Sequence, residues 1–265
     1  MSMEINTENK EPLKLTNSQD KSGEVKNVNK GSSSANLAED ELFDASGNFK
    51  PPLKPLIISV SGKPSTGKSY FVKSLIYYYT KLKYFRFGLV LTRTKFTGGY
   101  EWCPEEYVKD EYNEEYLVKY FQKLKKYKEK TGTIPANFLI IDDFMGSINL
   151  YSPFWMHLIS CFRHYNVSII ISAQSVVGKG ASSTLLRECC NLSVMFRTVF
   201  KNTLVGLYEC YGGLFEDYNE FINTFLRITS QKHHFMMFVN DKPDKESSYF
   251  DVIAPPNVPE FKLKF

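Results

Sequence analysis

Three stretches of this sequence predict an α/β fold with a mostly parallel central sheet and helices on both faces. In the first, Leu56, Ile57, Ile58 and Val60 form an apolar run that enters a glycine-bounded loop, after which Tyr70, Phe71, Leu75 and Ile76 resume at helical spacing. In the second, Phe138-Leu139-Ile140-Ile141 runs without interruption into Asp142-Asp143, as suits a strand buried on both faces. The third, Val167 to Ala173, ends in the uncharged Gln174. Helical stretches alternate with these runs, the order that produces crossover connections and a parallel sheet.

The loop of the first stretch, Gly62-Lys63-Pro64-Ser65-Thr66-Gly67-Lys68-Ser69, has the spacing G-x-x-x-x-G-K-[ST] in the required context of a strand before it and a helix after it. Glycine at 62 and 67 permits backbone conformations in which successive N–H groups point at phosphate oxygens. Lys68 is placed to reach the β- and γ-phosphates and Ser69 to put its hydroxyl on Mg²⁺, with the positive end of the following helix completing the anion site. The reading is a P-loop that takes ATP and Mg²⁺.

Composition sets the frame for the rest. At 265 residues the chain has material for one α/β domain and an arm, and 43% hydrophobic with 15% aromatic residues is ample for a core. A formal net charge of +4 permits nucleic-acid contact without demonstrating it. Five cysteines without a C-x-x-C pair argue for a reducing compartment, and the four histidines show no metal-ligand spacing with them. No stretch approaches a membrane span and no signal-peptide core opens the chain. The expectation is a soluble, intracellular protein.

Taken in order, residues 1–50 read as a disordered low-complexity arm, because scattered single apolar residues cannot offset the entropy of ordering it. Pro51, Pro52 and Pro55 mark the start of the ATPase domain, 51–265. Phe87 to Thr92 is a second parallel strand, followed by a glycine-turn loop, Phe96 to Pro104, whose Tyr100 and Trp102 read as half-buried anchors more readily than as binding aromatics. Glu114 to Thr131 is a long helix with Leu117, Tyr120, Phe121 and Leu124 inward and a solvated lysine face.

Carboxylates at the C-terminal end of a central strand emerge where open α/β sheets bind ligands. Asp142 is therefore assigned to Mg²⁺, by way of its water, and Asp143 to the attacking water. A helix from Phe154 to Phe162 ends in Arg163-His164-Tyr165-Asn166, and Gln174 at the end of the next strand lies beside the acids, able to bond the γ-phosphate or water. A helix with Leu185, Leu186 and Arg187 leads to strand Leu192 to Phe196 and to Arg197. Phe200 to Phe225 is helical with a break at Gly212-Gly213, and His234 to Val239 is a last apolar strand. Asn240 to Asp244 is similar to the guanine-reading N-K-x-D but carries Asp241 where Asn is needed, which favours ATP over GTP. Pro255, Pro256 and Pro259 close the chain in extended form.

The P-loop, the strand closing in Asp142-Asp143, the Arg163-His164-Tyr165-Asn166-Val167 approach and the terminal Gln174 together resemble the viral genome-packaging ATPases of the FtsK/HerA class, carried by poxviruses, virophages and polinton-like elements. The resemblance covers roughly Pro55 to Val239, and the Phe96 to Pro104 loop is also similar. It implies a RecA-like P-loop NTPase core, a homo-oligomeric ring (pentamer or hexamer), and ATP hydrolysis that drives double-stranded DNA, without regard to sequence, into a preformed capsid through its packaging vertex. It further implies a place in the virion or host cytoplasm. By the same resemblance Asp143 is the base, Gln174 the sensor, and an arginine finger reaches in from the neighbouring subunit, Arg163 first and Arg187 second. Asp143 departs from the pattern, since many related motors carry Glu there. Lys95, Lys179 and Lys201 on or near loops are candidate phosphate-backbone contacts, each also an ordinary surface lysine. Two other readings stay open at this level: a P-loop nucleoside or small-molecule kinase, and a nucleotide-switched binding module acting through the arm.

Overall fold

The structure, a computed structural model, describes residues 14–15, 49–144, 147–175, 181–240, 248–253 and 258–265. Its elements in chain order are β1 (Lys14–Leu15), β2 (Ile57–Ser61), α1 (Lys68–Lys81), β3 (Phe87–Thr92), β4 (Val108–Lys109), α2 (Glu114–Thr131), β5 (Asn137–Asp142), α3 (Pro153–Cys161), β6 (Val167–Ala173), α4 (Ala181–Cys189), β7 (Leu192–Met195), α5 (Lys201–Tyr211), α6 (Tyr218–Ile228), β8 (His234–Val239) and β9 (Ser248–Ile253). The strands form one sheet in the order β1-β9-β8-β7-β2-β6-β5-β3-β4. From β7 to β4 every neighbouring pair is parallel, and β8, β9 and β1 add an antiparallel flank.

Local sequence explains where the elements begin and end. Asn113 caps α2 by accepting from the Tyr116 amide, acids fill the first turn and lysines the last, and Gly132 ends the helix at φ 83°. Ser152 caps α3 ahead of Pro153 in the first turn, the position where a missing N–H costs nothing. The five residues of β2, six of β5 and seven of β6 are buried throughout, which matches their unbroken apolar runs.

Helices cover both faces, unequally. On one face α1 packs Phe71, Leu75 and Ile76 against Val60, Ile140, Ile170 and Val194. Beside it lies no further α-helix of the described residues but the loop around Tyr100 and Trp102, with a 3-10 turn at Glu105–Tyr107, and the C-terminal segment 258–265, with Leu263 buried. The opposite face is covered by α2, α3 and α4 over β3, β5 and β6, and by α5 and α6 over β7 and β8.

The sequence reading differs from the structure at a few points. His234–Val239 is a strand as expected, but it runs antiparallel to β7 and is followed by β9, whose mixed residues Ser248 to Ile253 carry no continuous apolar run. The helical stretch from Phe200 is interrupted at Gly212-Gly213 as expected, but its second helix starts only at Tyr218 and continues past Phe225 to Ile228. Phe49 belongs to the core, its ring 6.5 Å from Phe71, Lys50 after it is exposed, and Lys14–Leu15 pairs with β9; the rest of the predicted arm, Lys179, residues 241–244 of the polar turn, and Pro255 and Pro256 lie outside the described residues. No helix among the described residues is long and apolar enough to cross a membrane.

Candidate nucleotide site

The C-terminal ends of β2, β6, β5 and β3 lie side by side, and the residues that follow them form the site. The loop after β2 is drawn tight. Gly67 has φ 113°, in the left-handed region, and a Cβ on Gly62 would come within 2.7 Å of both Phe196 Cβ and Thr66 Oγ1. The backbone therefore occupies space that any side chain would fill, which is the geometry of an amide cradle. Ser65 is also left-handed, and Thr66 Oγ1 donates to the Lys63 carbonyl at 2.8 Å.

Lys68, only 7% exposed, donates from Nζ to the carbonyls of Gly62 at 2.6 Å and Lys63 at 3.1 Å. Burial holds its pKa below the ordinary lysine value, and the charges of Asp143 and Asp142 oppose that shift. The ammonium and the two carboxylates thus act on one another, although 73 residues separate Lys68 from the nearer acid in the chain by number. Ser69 follows in the first turn of α1, exposed at the open side of the loop.

Asp142 is the last residue of β5 and is buried. In register it pairs with Thr92 on one side and Ser172 on the other, so three polar side chains stand in a row on the α1 face of the sheet. Thr92 Oγ1 donates to Asp142 Oδ2 at 3.4 Å, and Ser172 Oγ is buried with no hydrogen-bond partner among the described residues. Asp143 leaves the strand with φ 59°, and its N–H donates to the Ser172 carbonyl at 3.0 Å. This left-handed step lets consecutive side chains face one site, and aspartate is among the few residue types that tolerate it. Burial, then the charge of Asp142, raises the Asp143 carboxyl above its usual range, while Lys68 and Arg93 pull it back. Gln174 follows β6, which lies between β2 and β5, and is exposed.

The arginines fall elsewhere. Arg163 is exposed in the turn before β6, at the opposite end of a strand roughly 20 Å long at about 3.3 Å per residue. Arg187 is half-buried in α4, donating to Thr184 Oγ1 at 3.0 Å, and its charge reaches Cys210 and Tyr211 at the end of α5. Neither belongs to this chain's own phosphate loop. Of the candidate DNA lysines, Lys95 and Lys201 follow β3 and β7 and so sit on the site edge of the sheet, Lys95 paired with Glu105 at 3.7 Å.

Several residues here are absent from the sequence reading. Arg93, just after β3, bonds Ser147, lies 5.1 Å from the Phe144 ring and acts on Asp143. Phe196 forms the floor against Gly62 and Gly67, and the exposed Phe200 ring receives Lys63 Nζ at 3.6 Å. Tyr100 and Trp102 are buried anchors, as the commoner reading had it, but Tyr100 stands close to Asp142.

The residues fit a magnesium nucleotide. A cradle closed to any Cβ and a buried lysine answer to phosphates, and a buried carboxylate flanked by hydroxyls answers to a hard cation through its water. Gly62 to Ser69 would hold the phosphates, with Ser69 and Asp142 on Mg²⁺.

The family described as Poxvirus A32 protein matches residues 50–195, more than half of the chain. The chain belongs to the poxvirus A32 protein family. The matched range contains Gly62 to Ser69, Arg93, Tyr100, Asp142, Asp143 and Gln174, while Phe196, Phe200, β8, β9 and the C-terminal segment lie beyond it. Among curated proteins, the uncharacterized protein 075L of invertebrate iridescent virus 6 is 22% identical over 210 residues, covering 78% of this chain and 79% of that one. Among solved structures, the genome packaging NTPase B204 of Sulfolobus turreted icosahedral virus 2, in complex with ATPγS, aligns with a TM-score of 0.53 at 18% identity over 74% of this chain and 96% of its own. The pCW3 conjugation coupling protein TcpA, also with ATPγS, aligns at 0.52 and 14% identity over 83% and 69%, and the cytoplasmic domain of the type VII secretion ATPase EccC of Thermomonospora curvata at 0.54 and 13% over 83% and 30%. At such identities these likenesses speak for the fold, which in this A32 family member is that of a P-loop ATPase.

Proposed function

We propose that this chain is the ATPase of a viral genome-packaging motor, hydrolysing ATP with Mg²⁺ and using the energy to move double-stranded DNA into a preformed capsid. The observation that carries the reading is the mutual reach of Lys68, Asp142 and Asp143 beside a phosphate cradle, in a chain of the A32 family. The name of the similar B204 protein, a genome packaging NTPase, supports the same reading.

Each residue has a part that follows from its place. The cradle amides and Lys68 bind the β- and γ-phosphates, and Lys68 neutralises charge that spreads over the γ-phosphoryl oxygens as the bond breaks. When bound, Mg²⁺ polarises the same oxygens, and Ser69 and Asp142 hold it. Asp143, whose carboxyl has a raised affinity for protons, orients the attacking water and takes its proton; Gln174 bonds the γ-phosphate or that water and registers its loss. Arg163, remote from its own loop, acts on a neighbour's nucleotide in a homo-oligomeric ring, with Arg187 as the second candidate. Lys95 and Lys201, on the edge that carries the nucleotide, contact DNA phosphates.

The test is ATP hydrolysis by the full chain with and without double-stranded DNA. DNA-stimulated phosphate release, lost in Lys68→Ala, together with a ring-sized species in sedimentation, is the expected result. Phosphate transferred to a small molecule, or a monomer at high concentration whose turnover ignores DNA, would overturn the motor reading.

A further inference from the structure

The loop after β3 and the C-terminal segment meet over the α1 face of the sheet. Gly98 and Gly99 both have positive φ, and the loop closes on itself through Trp102 Nε1 to the Gly99 carbonyl at 3.0 Å and the Cys103 amide to the Tyr100 carbonyl at 2.9 Å. That closure aims Tyr100 inward. Its hydroxyl is buried, meets no partner at hydrogen-bond geometry among the described residues, and lies within reach of the Asp142 charge. A phenol carries its proton at neutral pH and a carboxylate only accepts, so between these two groups the hydroxyl can only donate.

The outer side of the same loop is held by the chain terminus. Leu263 N–H donates to the Trp102 carbonyl at 2.8 Å, the Phe261 ring stacks on Trp102 at 5.6 Å between ring centres, and Phe265 packs edge-on to Tyr107 at 5.0 Å. A cavity of about 500 Å³ lies between the loop and the C-terminal segment, lined by Tyr100, Trp102, Cys103 and Leu263 among others. Trp102 and Tyr100 rings are 5.7 Å apart, one contact from terminus to carboxylate.

We infer that Tyr100 is a positioning residue for the Asp142 carboxylate, and that docking of segment 258–265 onto Trp102 holds it in place, so that terminus docking and magnesium-nucleotide binding favour each other. The inference rests on the reading of Asp142 as the residue that holds Mg²⁺. A buried hydroxyl with no other partner gains a bond only when the carboxylate is turned toward it, which limits the rotamers of Asp142 to those that also accept from Thr92. Coupling between two sites is reciprocal: what the terminus gives to nucleotide binding, nucleotide binding returns to the terminus.

The experiment uses the full chain and a fluorescent ATP analogue titrated at a series of Mg²⁺ concentrations and in chelator. Tyr100→Phe, which removes only the oxygen, is expected to raise the Mg²⁺ concentration for half-maximal binding about tenfold while leaving binding in chelator unchanged. Removal of residues 258–265, and the milder Leu263→Ala, should produce a shift in the same direction. Both should speed alkylation of Cys103, whose buried thiol burial pushes up to about 12, and magnesium nucleotide should slow that alkylation in the unaltered chain. Unshifted Mg²⁺ midpoints in Tyr100→Phe and Leu263→Ala, or a lower melting temperature with no change in midpoint, would overturn the inference and assign the terminus to packing alone. An unaltered chain that binds the analogue under neither condition would instead defeat the nucleotide reading itself.

Discussion

Gly62 shows how closely the site is drawn at the level of single residues. A methyl group there would have to displace the Phe196 side chain at its Cβ, which is fixed to the backbone, so Gly62→Ala should destabilise the protein by about 1–3 kcal/mol. A melting temperature unchanged by that substitution would mean the cradle is looser than described. Asp143 makes a different prediction. Its folded-state pKa lies above the unfolded value, so the folded chain holds the proton more readily, and the ionised carboxylate costs stability at neutral pH. That cost disappears as pH falls through the folded pKa to below the ordinary aspartate value. In chelator and without nucleotide, Asp143→Asn should therefore melt higher than the unaltered protein at neutral pH, and the difference should close toward about pH 4. A difference that grows as pH falls would contradict the assignment. Lys68 and Asp142 could be named from spacing and strand position alone, because their neighbours in sequence set their geometry. Arg93, Phe196 and Tyr100 could not, because each acts through a contact made only when distant strands are side by side.

Elements with a strong local signal were legible. The helix Glu114–Thr131 and the strand His234–Val239 lie where the periodicity and apolar runs put them, since an Asn cap, a left-handed glycine and the unbroken apolar run Phe235 to Val239 are local devices. Strand direction was not legible for β8, which depends on the pairing of Leu192 with Val239 rather than on its own residues, and β9 lacked a signal of its own. At this scale Asn137 carries a prediction. It opens β5 fully buried, and its Nδ2 donates to the Tyr165 carbonyl at 2.9 Å and the Asn166 carbonyl at 3.0 Å, tying the start of one strand to the turn before the next. Asn137→Ala takes the side-chain donor from the Tyr165 carbonyl, while the Asn166 carbonyl keeps the backbone N–H of residue 137 at 2.9 Å, and should destabilise the protein by about 1–3 kcal/mol, read by denaturant melts. A smaller loss would indicate that water enters the turn.

For the whole molecule, the sheet order separates the phosphate loop from the acids by one strand, β6. If Arg163 serves a neighbour's site, Arg163→Ala should leave nucleotide binding intact and reduce turnover on the order of a thousandfold. Mixing Arg163→Ala with Asp143→Ala subunits should then restore part of the activity, since each interface pairing the intact arginine with the intact acid regains function; no recovery at any ratio would remove Arg163 from that role. The family resemblance visible in the sequence extended to the fold, while the share of the sheet given to β8, β9 and the terminus was hidden in stretches without periodicity. The place of β6 has one more consequence. Seven residues long and hydrogen-bonded to β2 on one flank and β5 on the other, it can neither bend nor stretch appreciably. Gln174 sits at one tip and the turn bearing Arg163 at the other, so the strand serves as a fixed spacer that keeps the phosphate edge and the opposite rim of the sheet one strand length apart.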